Sequence, residues 1–146
     1  MRQTLFAMLF WIVSAATSAA DQGIISRPSP YPVRETVSRL ESVLKDKGIT
    51  LFAKVDHAGE AEKAGLRMRP AQLLIFGNPR GGTPIMNALP LAALELPLKA
   101  LIWEDAEGKV WVSYNDPAFI KDRFKVPNEL MKPIAGIGDL IGAAMK

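Results

Sequence analysis

The sequence predicts an α+β fold, in which helices pack against a single, mainly antiparallel sheet. Residues 94–103 and 109–114 both alternate between two faces, and the turn residues 105–108 between them are typical of a hairpin. Residues 58–64, between two further predicted strands, are too few for the crossover helix that a parallel pair of strands needs. Strands joined by hairpins, with helices between some of them, are typical of this class.

The first twenty residues have the pattern of a secretory signal peptide. Arg2 precedes the apolar run 5–13, and small residues, including Ser18 and Ala20, stand where a signal peptidase cleaves. The alternative is an uncleaved membrane anchor, although the apolar run is short for a spanning helix. We therefore expect residues 1–20 to be removed and residues 21–146 to form one periplasmic or secreted domain, with no membrane span after cleavage.

Composition narrows the classes of function. The chain has no cysteine and one histidine, which excludes thiol chemistry and leaves too few soft ligands for a structural zinc site. The formal net charge of +3, without a basic cluster, argues against a nucleic-acid surface. We expect no metal, no cofactor and no nucleic-acid partner.

The first half of the chain predicts helices and strands in alternation. Residues 24–26 are a candidate edge strand, and Pro32 begins a helix whose apolar residues recur at steps of four, three and four. Residues 49–55 alternate between two faces and predict a strand. Residues 73–76 have no polar side chain on either face, so we expect a central strand that is covered on both sides.

The second half predicts three more helices around the hairpin. Thr83 followed by Pro84 is typical of a helix cap and first turn, placed after a glycine-rich corner. Residues 115–117 give the same signal before a helix over 118–124. The last segment predicts one amphipathic helix, because its apolar residues form a stripe: Leu130, Ile134, Ile137 and Ile141.

A set of short motifs in this order resembles the signature of domain-of-unknown-function family 302, which is bacterial and archaeal. The motifs fall in residues 55–58, 73–79, 94–98 and 112–117, and the resemblance spans residues 29–117. It implies a fold similar to the TATA-binding-protein-like α+β class, a curved antiparallel sheet with helices on one side. It implies no DNA binding, since a fold does not carry a function with it, and it supplies no established activity.

Asp56 and His57 form the first candidate site. His57 is the only imidazole, and a neighbouring carboxylate could orient it as a general base. The alternative is that Asp56 caps the helix that follows, as aspartate does routinely at this position.

The second candidate site follows the apolar strand. Successive backbone N–H groups in a glycine-rich bend, one cation and a helix start can together hold an anion. The alternative is a tight turn that needs positive φ at glycine. The residues concerned are Asn78, Arg80, Gly81, Gly82 and Thr83.

Both candidate sites follow strand ends, so parallel strands would bring them to one rim with a pocket lined by His57, Asn78 and Arg80. The favoured function is therefore an exported domain that binds a small anionic ligand at this rim. Two alternatives stay open: a hydrolase or isomerase with His57 as general base, and a structural or partner-binding domain, for example a homodimer through an exposed sheet edge.

Overall fold

Five strands organise the chain in the computed structural model, which describes residues 23–146. The predicted signal peptide lies outside these residues. The strands are β1 (Ile24–Ser29), β2 (Thr50–Asp56), β3 (Ala71–Gly77), β4 (Leu98–Glu104) and β5 (Val110–Asn115). They form one sheet in the order β1-β5-β4-β3-β2, and every neighbouring pair is antiparallel.

Helices connect these strands and cover one face of the sheet. They are α1 (Val33–Asp46), α2 (His57–Lys63), α3 (Pro79–Ala88), α4 (Pro117–Phe124), α5 (Asn128–Ala135) and α6 (Ile137–Ala144), and a 3-10 turn spans Pro90–Leu94. The core lies between the helices and alternate strand residues, namely Leu74, Phe76, Ala100, Ile102, Val112 and Tyr114. The predicted α+β class is confirmed. No helix within residues 23–146 is long and apolar enough to cross a membrane.

The helix after β3 begins earlier than the sequence analysis predicts. Asn78 is the N-cap, its side chain accepts a hydrogen bond from the Arg80 N–H at 2.9 Å, and Pro79 occupies the first turn. The predicted start at Thr83 and Pro84 is wrong, because Asn78 and Pro79 form the same kind of cap five residues earlier. Gly81, Gly82 and Thr83 therefore lie inside α3 rather than in a corner before it.

The predicted C-terminal helix is two helices, α5 and α6, that meet at Gly136. Pro133 lies within α5 and cannot donate a backbone hydrogen bond, and glycine is a poor helix former, so a break is expected here. The predicted stripe is nevertheless confirmed, because Ile134, Ile137 and Ile141 are all buried.

The apolar strand β3 lies between β2 and β4, so its predicted position inside the sheet is confirmed. Leu74 and Phe76 are fully buried under the helices. Leu73 and Ile75, on the opposite face, are only half-buried. The prediction that β3 is covered on both faces is therefore wrong within residues 23–146.

The edge strand β2 is exposed along nearly its whole length. Its register with β3 shifts between Leu51 and Ala53, so a bulge interrupts the alternation predicted for this strand. Leu51 is opposite the buried Phe76, whereas Ala53 is opposite Ile75 on the other face.

Candidate functional site

The two groups of residues singled out from the sequence lie at opposite ends of the sheet. In the antiparallel pair β2–β3, Asp56 is opposite Gln72 and Thr50 is opposite Gly77. Asn78 follows Gly77, so it lies about 20 Å from Asp56 at the usual rise of a strand. The prediction of a shared rim is therefore wrong, because a shared rim requires β2 and β3 to be parallel.

Asp56 is the N-cap of α2. Its Oδ1 accepts a hydrogen bond from the Gly59 N–H at 3.0 Å, as the capping alternative predicts. His57 is the first residue of α2, and its ring is exposed and makes no hydrogen bond within residues 23–146. The described residues therefore give His57 no orienting carboxylate.

A shallow groove of about 720 Å³ adjoins Asp56. Charged side chains of both signs line it, namely Arg34, Asp56, Glu62, Arg67 and Glu104, and His57 is not among the lining residues. Mixed charges of this kind favour no single sign of ligand. Within residues 23–146, no three His, Cys, Asp or Glu side chains are close enough to hold a metal ion.

The backbone amides at the start of α3 are already occupied. The N–H groups of Gly81 and Gly82 both donate to the Asn78 carbonyl, at 2.9 Å and 3.0 Å. The predicted anion nest needs these donors free. The tight-turn alternative is wrong as well, since positive φ among the described glycines occurs only at Gly23, Gly48, Gly65 and Gly108.

Gly81 has a packing role instead. It is buried, and a Cβ atom at this position would collide with Cβ of Pro133 in α5. The absence of a side chain at Gly81 thus allows α3 and α5 to approach closely. A Cβ at Gly82 would meet only the Met86 Cε at 3.6 Å, an ordinary contact.

This close approach forms one wall of a cavity of about 570 Å³. The cavity lies between α3, α5, α6, the bulged part of β2 and the end of β3. Most of its lining is apolar: Ile49, Phe52, Phe76, Met86, Leu96, Leu98, Ile134, Ile137 and Leu140.

The lining residues differ in exposure, and this difference defines a buried floor and an exposed mouth of the cavity. Phe76 and Ile137, at 0% and 1% exposure, form the floor. Phe52, Thr83 and Lys132 are exposed and lie at the mouth. Among residues 23–146, Lys132 is the only charged residue in the lining, and none of them places an acidic side chain there. The cavity therefore combines an apolar interior with a single positive charge at its opening.

The sequence analysis identifies two of the polar residues at this cavity, Asn78 and Thr83, but not its apolar lining or Lys132. These residues come from separate parts of the chain, and most of the apolar ones have the pattern of ordinary core positions. The bulge in β2 is a local irregularity at the cavity, and residues 49–55 alternate in sequence without revealing it.

Two curated relatives are 42% identical to the chain over 106 residues, which is 73% of its length. One is "Fluoride-specific ion channel FluC 1" from Brucella suis biovar 1 (strain 1330), and the other has the same name in Brucella abortus biovar 1 (strain 9-941). The matched part is 42% and 39% of their respective lengths. The chain thus spans about two fifths of the length of these relatives.

A solved structure has the same fold. The crystal structure of the uncharacterized conserved protein DUF302 from Bacillus stearothermophilus superposes with a TM-score of 0.69 at 20% sequence identity. The match covers 84% of this chain and 95% of that chain. The model of the family described as "Domain of unknown function DUF302" matches residues 25–143, so the family includes the C-terminal helices that lie beyond the motifs in residues 29–117. The chain belongs to the DUF302 family.

Proposed function

We propose that the protein is an exported binding domain for a small, largely apolar molecule that carries one negative charge. The observation that carries this proposal is the cavity of about 570 Å³, which has apolar walls and Lys132 as its one charged residue. Its volume is within the range of about 300–1,000 Å³ that is usual for small-molecule sites. The proposal keeps the anionic ligand expected from the sequence and assigns it to a different site.

The arrangement of floor and mouth favours one orientation of the ligand. An apolar tail would contact Phe76 and Ile137, where removal of its surface from water stabilises binding by about 25 cal/mol per Å². A carboxylate or similar group would then lie near Lys132 and the Thr83 hydroxyl at the mouth. A charge left partly in water in this way avoids the large cost of burying it.

The enzymatic alternative has less support. His57 lies at the opposite end of β2, and the part of the chain that the structure describes places neither an imidazole nor a carboxylate in the cavity lining. A general base must lie within hydrogen-bonding reach of the proton that it abstracts. Binding requires none of these groups.

Thermal unfolding with two matched probes tests the proposal. The protein is purified as the cell processes it, and mass spectrometry is expected to find its N-terminus near Asp21. Octanoate should raise the Tm by mass action, and the neutral octanol should raise it less. Lys132→Ala should reduce the octanoate response to that of octanol, whereas Lys45→Ala, an exposed lysine outside the cavity, should leave both responses unchanged.

Two results would contradict the proposal, one concerning binding in the cavity and one concerning the role of the Lys132 charge. Binding in the cavity would be refuted if neither probe changed the Tm at any concentration that leaves the protein soluble. A Lys132→Ala variant that responds to octanoate like the wild type would refute the role of the charge alone.

A second candidate function is that of an accessory domain to an ion channel. The observation that favours it is the 42% identity to proteins named fluoride-specific ion channels, more than half of whose length lies outside the match. Deletion of the gene should then lower the highest fluoride concentration at which the cells grow. Expression of the chain should restore the original limit. Unchanged growth across a fluoride series would count against this candidate.

A further inference from the structure

One face of the sheet is left without a helical layer. We call it the open face and define it by Val55, Leu73, Ile75, Leu101, Trp103 and Trp111, which share one side of the sheet by their strand pairing. All six are half-buried, and none belongs to the hydrophobic core or packs against it. An antiparallel sheet that faces water normally carries polar side chains on its outer face. The apolar side chains here indicate that another surface covers this face in the functional protein.

The polar groups of the open face are hydrogen-bonded within the chain. The Ser26 and Ser113 hydroxyls are 2.7 Å apart, and the Trp103 Nε1–H donates to Ser113 Oγ at 2.9 Å. The Trp111 Nε1–H donates to Asp105 Oδ2 at 2.7 Å. Covering the face would therefore leave these donors satisfied, which avoids the main cost of burying polar groups.

Two lysines on this face also have partners within the chain. Lys99 Nζ donates to the Leu94 and Glu95 carbonyls, each at 3.4 Å, and lies 3.8 Å from a Glu95 carboxylate oxygen. Lys109 Nζ lies over the Trp111 ring, 4.4 Å from its centroid. Two identical faces could therefore meet without opposing two charges that lack partners.

The sheet edges, by contrast, are protected against pairing. The edge strand β2 carries a bulge and Lys54, and the other edge strand, β1, contains Pro28. Bulges, lysines and prolines are the devices by which proteins prevent strand addition at an edge. A homodimer through a sheet edge, one of the alternatives that the sequence leaves open, is therefore disfavoured relative to contact through the open face.

The open face is large enough for a specific interface. Five strands about 4.8 Å apart, with six or seven residues at about 3.3 Å each, give a face of roughly 500 Å². Two such faces would bury about 1,000 Å², which is about the minimum for a biological interface. Stacked sheets pack readily face to face, and a two-fold axis makes one apolar face complementary to its own copy.

We propose that two copies of the chain pack open face against open face, as a homodimer with the layers helix, sheet, sheet, helix. Each copy would then supply the cover that the apolar residues of β3 indicate. The helical layer with its cavity would stay on the outside of the dimer.

Sedimentation velocity of the purified protein tests the proposal directly. The wild type should sediment with twice the mass of one chain. Leu101→Glu places a charge in the middle of the open face and should give a monomer with unchanged circular dichroism. Leu91→Glu is the matched control, since Leu91 is 72% exposed in the 3-10 turn, and it should remain a dimer. A monomeric wild type, or a dimeric Leu101→Glu variant, would overturn the proposal.

Tryptophan fluorescence gives a second readout that does not depend on a variant. Of the three tryptophans, Trp11 is in the predicted signal peptide, and Trp103 and Trp111 are both on the open face. Dilution of the wild type should shift their emission to longer wavelength as the dimer dissociates. Two results together would overturn the proposal: emission that stays constant on dilution, and a monomer that floats with vesicles of phosphatidylcholine and phosphatidylglycerol. They would indicate that a lipid surface, rather than a second copy, covers the open face.

Discussion

At the scale of single residues, Asp105 accepts hydrogen bonds both within its turn and from a tryptophan of β5. Its carboxylate accepts hydrogen bonds from the Trp111 Nε1–H at 2.7 Å and from the Glu107 and Lys109 N–H groups at 3.0 Å and 2.8 Å. The hydrogen bond from Trp111 is the main reason why the pKa of Asp105 lies below its ordinary value of 3.8. The sequence predicts the turn, but not the contact with the tryptophan.

This lowered pKa predicts a specific loss of stability in acid. A carboxylate whose pKa is lower in the folded state stabilises that state above its unfolded pKa, and this stabilisation is lost as the pH falls through the folded pKa. The free energy of unfolding of the wild type should therefore fall more steeply below about pH 4 than that of Asp105→Asn. Urea titrations at a series of pH values measure the difference, and parallel curves for the two proteins would contradict the assignment.

At the scale of elements, the start of α3 shows the limit of local cap signals. Asn78–Pro79 and Thr83–Pro84 are patterns of the same kind, although only the second is part of the predicted helix start. The structure uses the first, with Gly81 buried against Pro133, a residue that lies 52 positions later. A contact between such distant residues leaves no trace in the local pattern.

Two neighbouring glycines allow a matched test of this contact. Gly81→Ala should lower the free energy of unfolding by about 1–3 kcal/mol, the usual cost of overpacking a well-packed site. Gly82→Ala should be neutral or stabilise by up to about 1 kcal/mol, because alanine favours the helix and its Cβ meets Met86 at an ordinary distance. Urea denaturation measures both variants, and equal effects would contradict the packing role of Gly81.

Other elements are close to the prediction because their signals are local. The hairpin of β4 and β5, α1 after Pro32 and α4 after Asp116 all have a turn or cap that the sequence shows directly. The cavity has no such signal, since α3, α5, α6, β2 and β3 all contribute to it. The predicted apolar stripe that contains Ile134 and Ile137 gives no sign of a space, and only the assembled fold shows that these residues border one.

At the scale of the whole molecule, the direction of one strand decides the relation between the candidate sites. The resemblance in residues 29–117 implies an antiparallel sheet, whereas a shared rim requires parallel strands. With β2 and β3 antiparallel, the Asp56 groove and the cavity at Lys132 lie at opposite ends. One pocket cannot use both sets of residues.

If the cavity binds a ligand as proposed, the bulged edge strand would affect how fast the ligand enters. Phe52 borders the mouth of the cavity from β2, the strand with the most exposed side chains in the described sheet. Local opening of a protein occurs most readily where few apolar contacts must be broken. Fraying of this edge would widen the entrance while the helices and the four other strands stay folded. The rate of entry would then depend on the local stability of one edge strand, and the affinity on the residues of the floor.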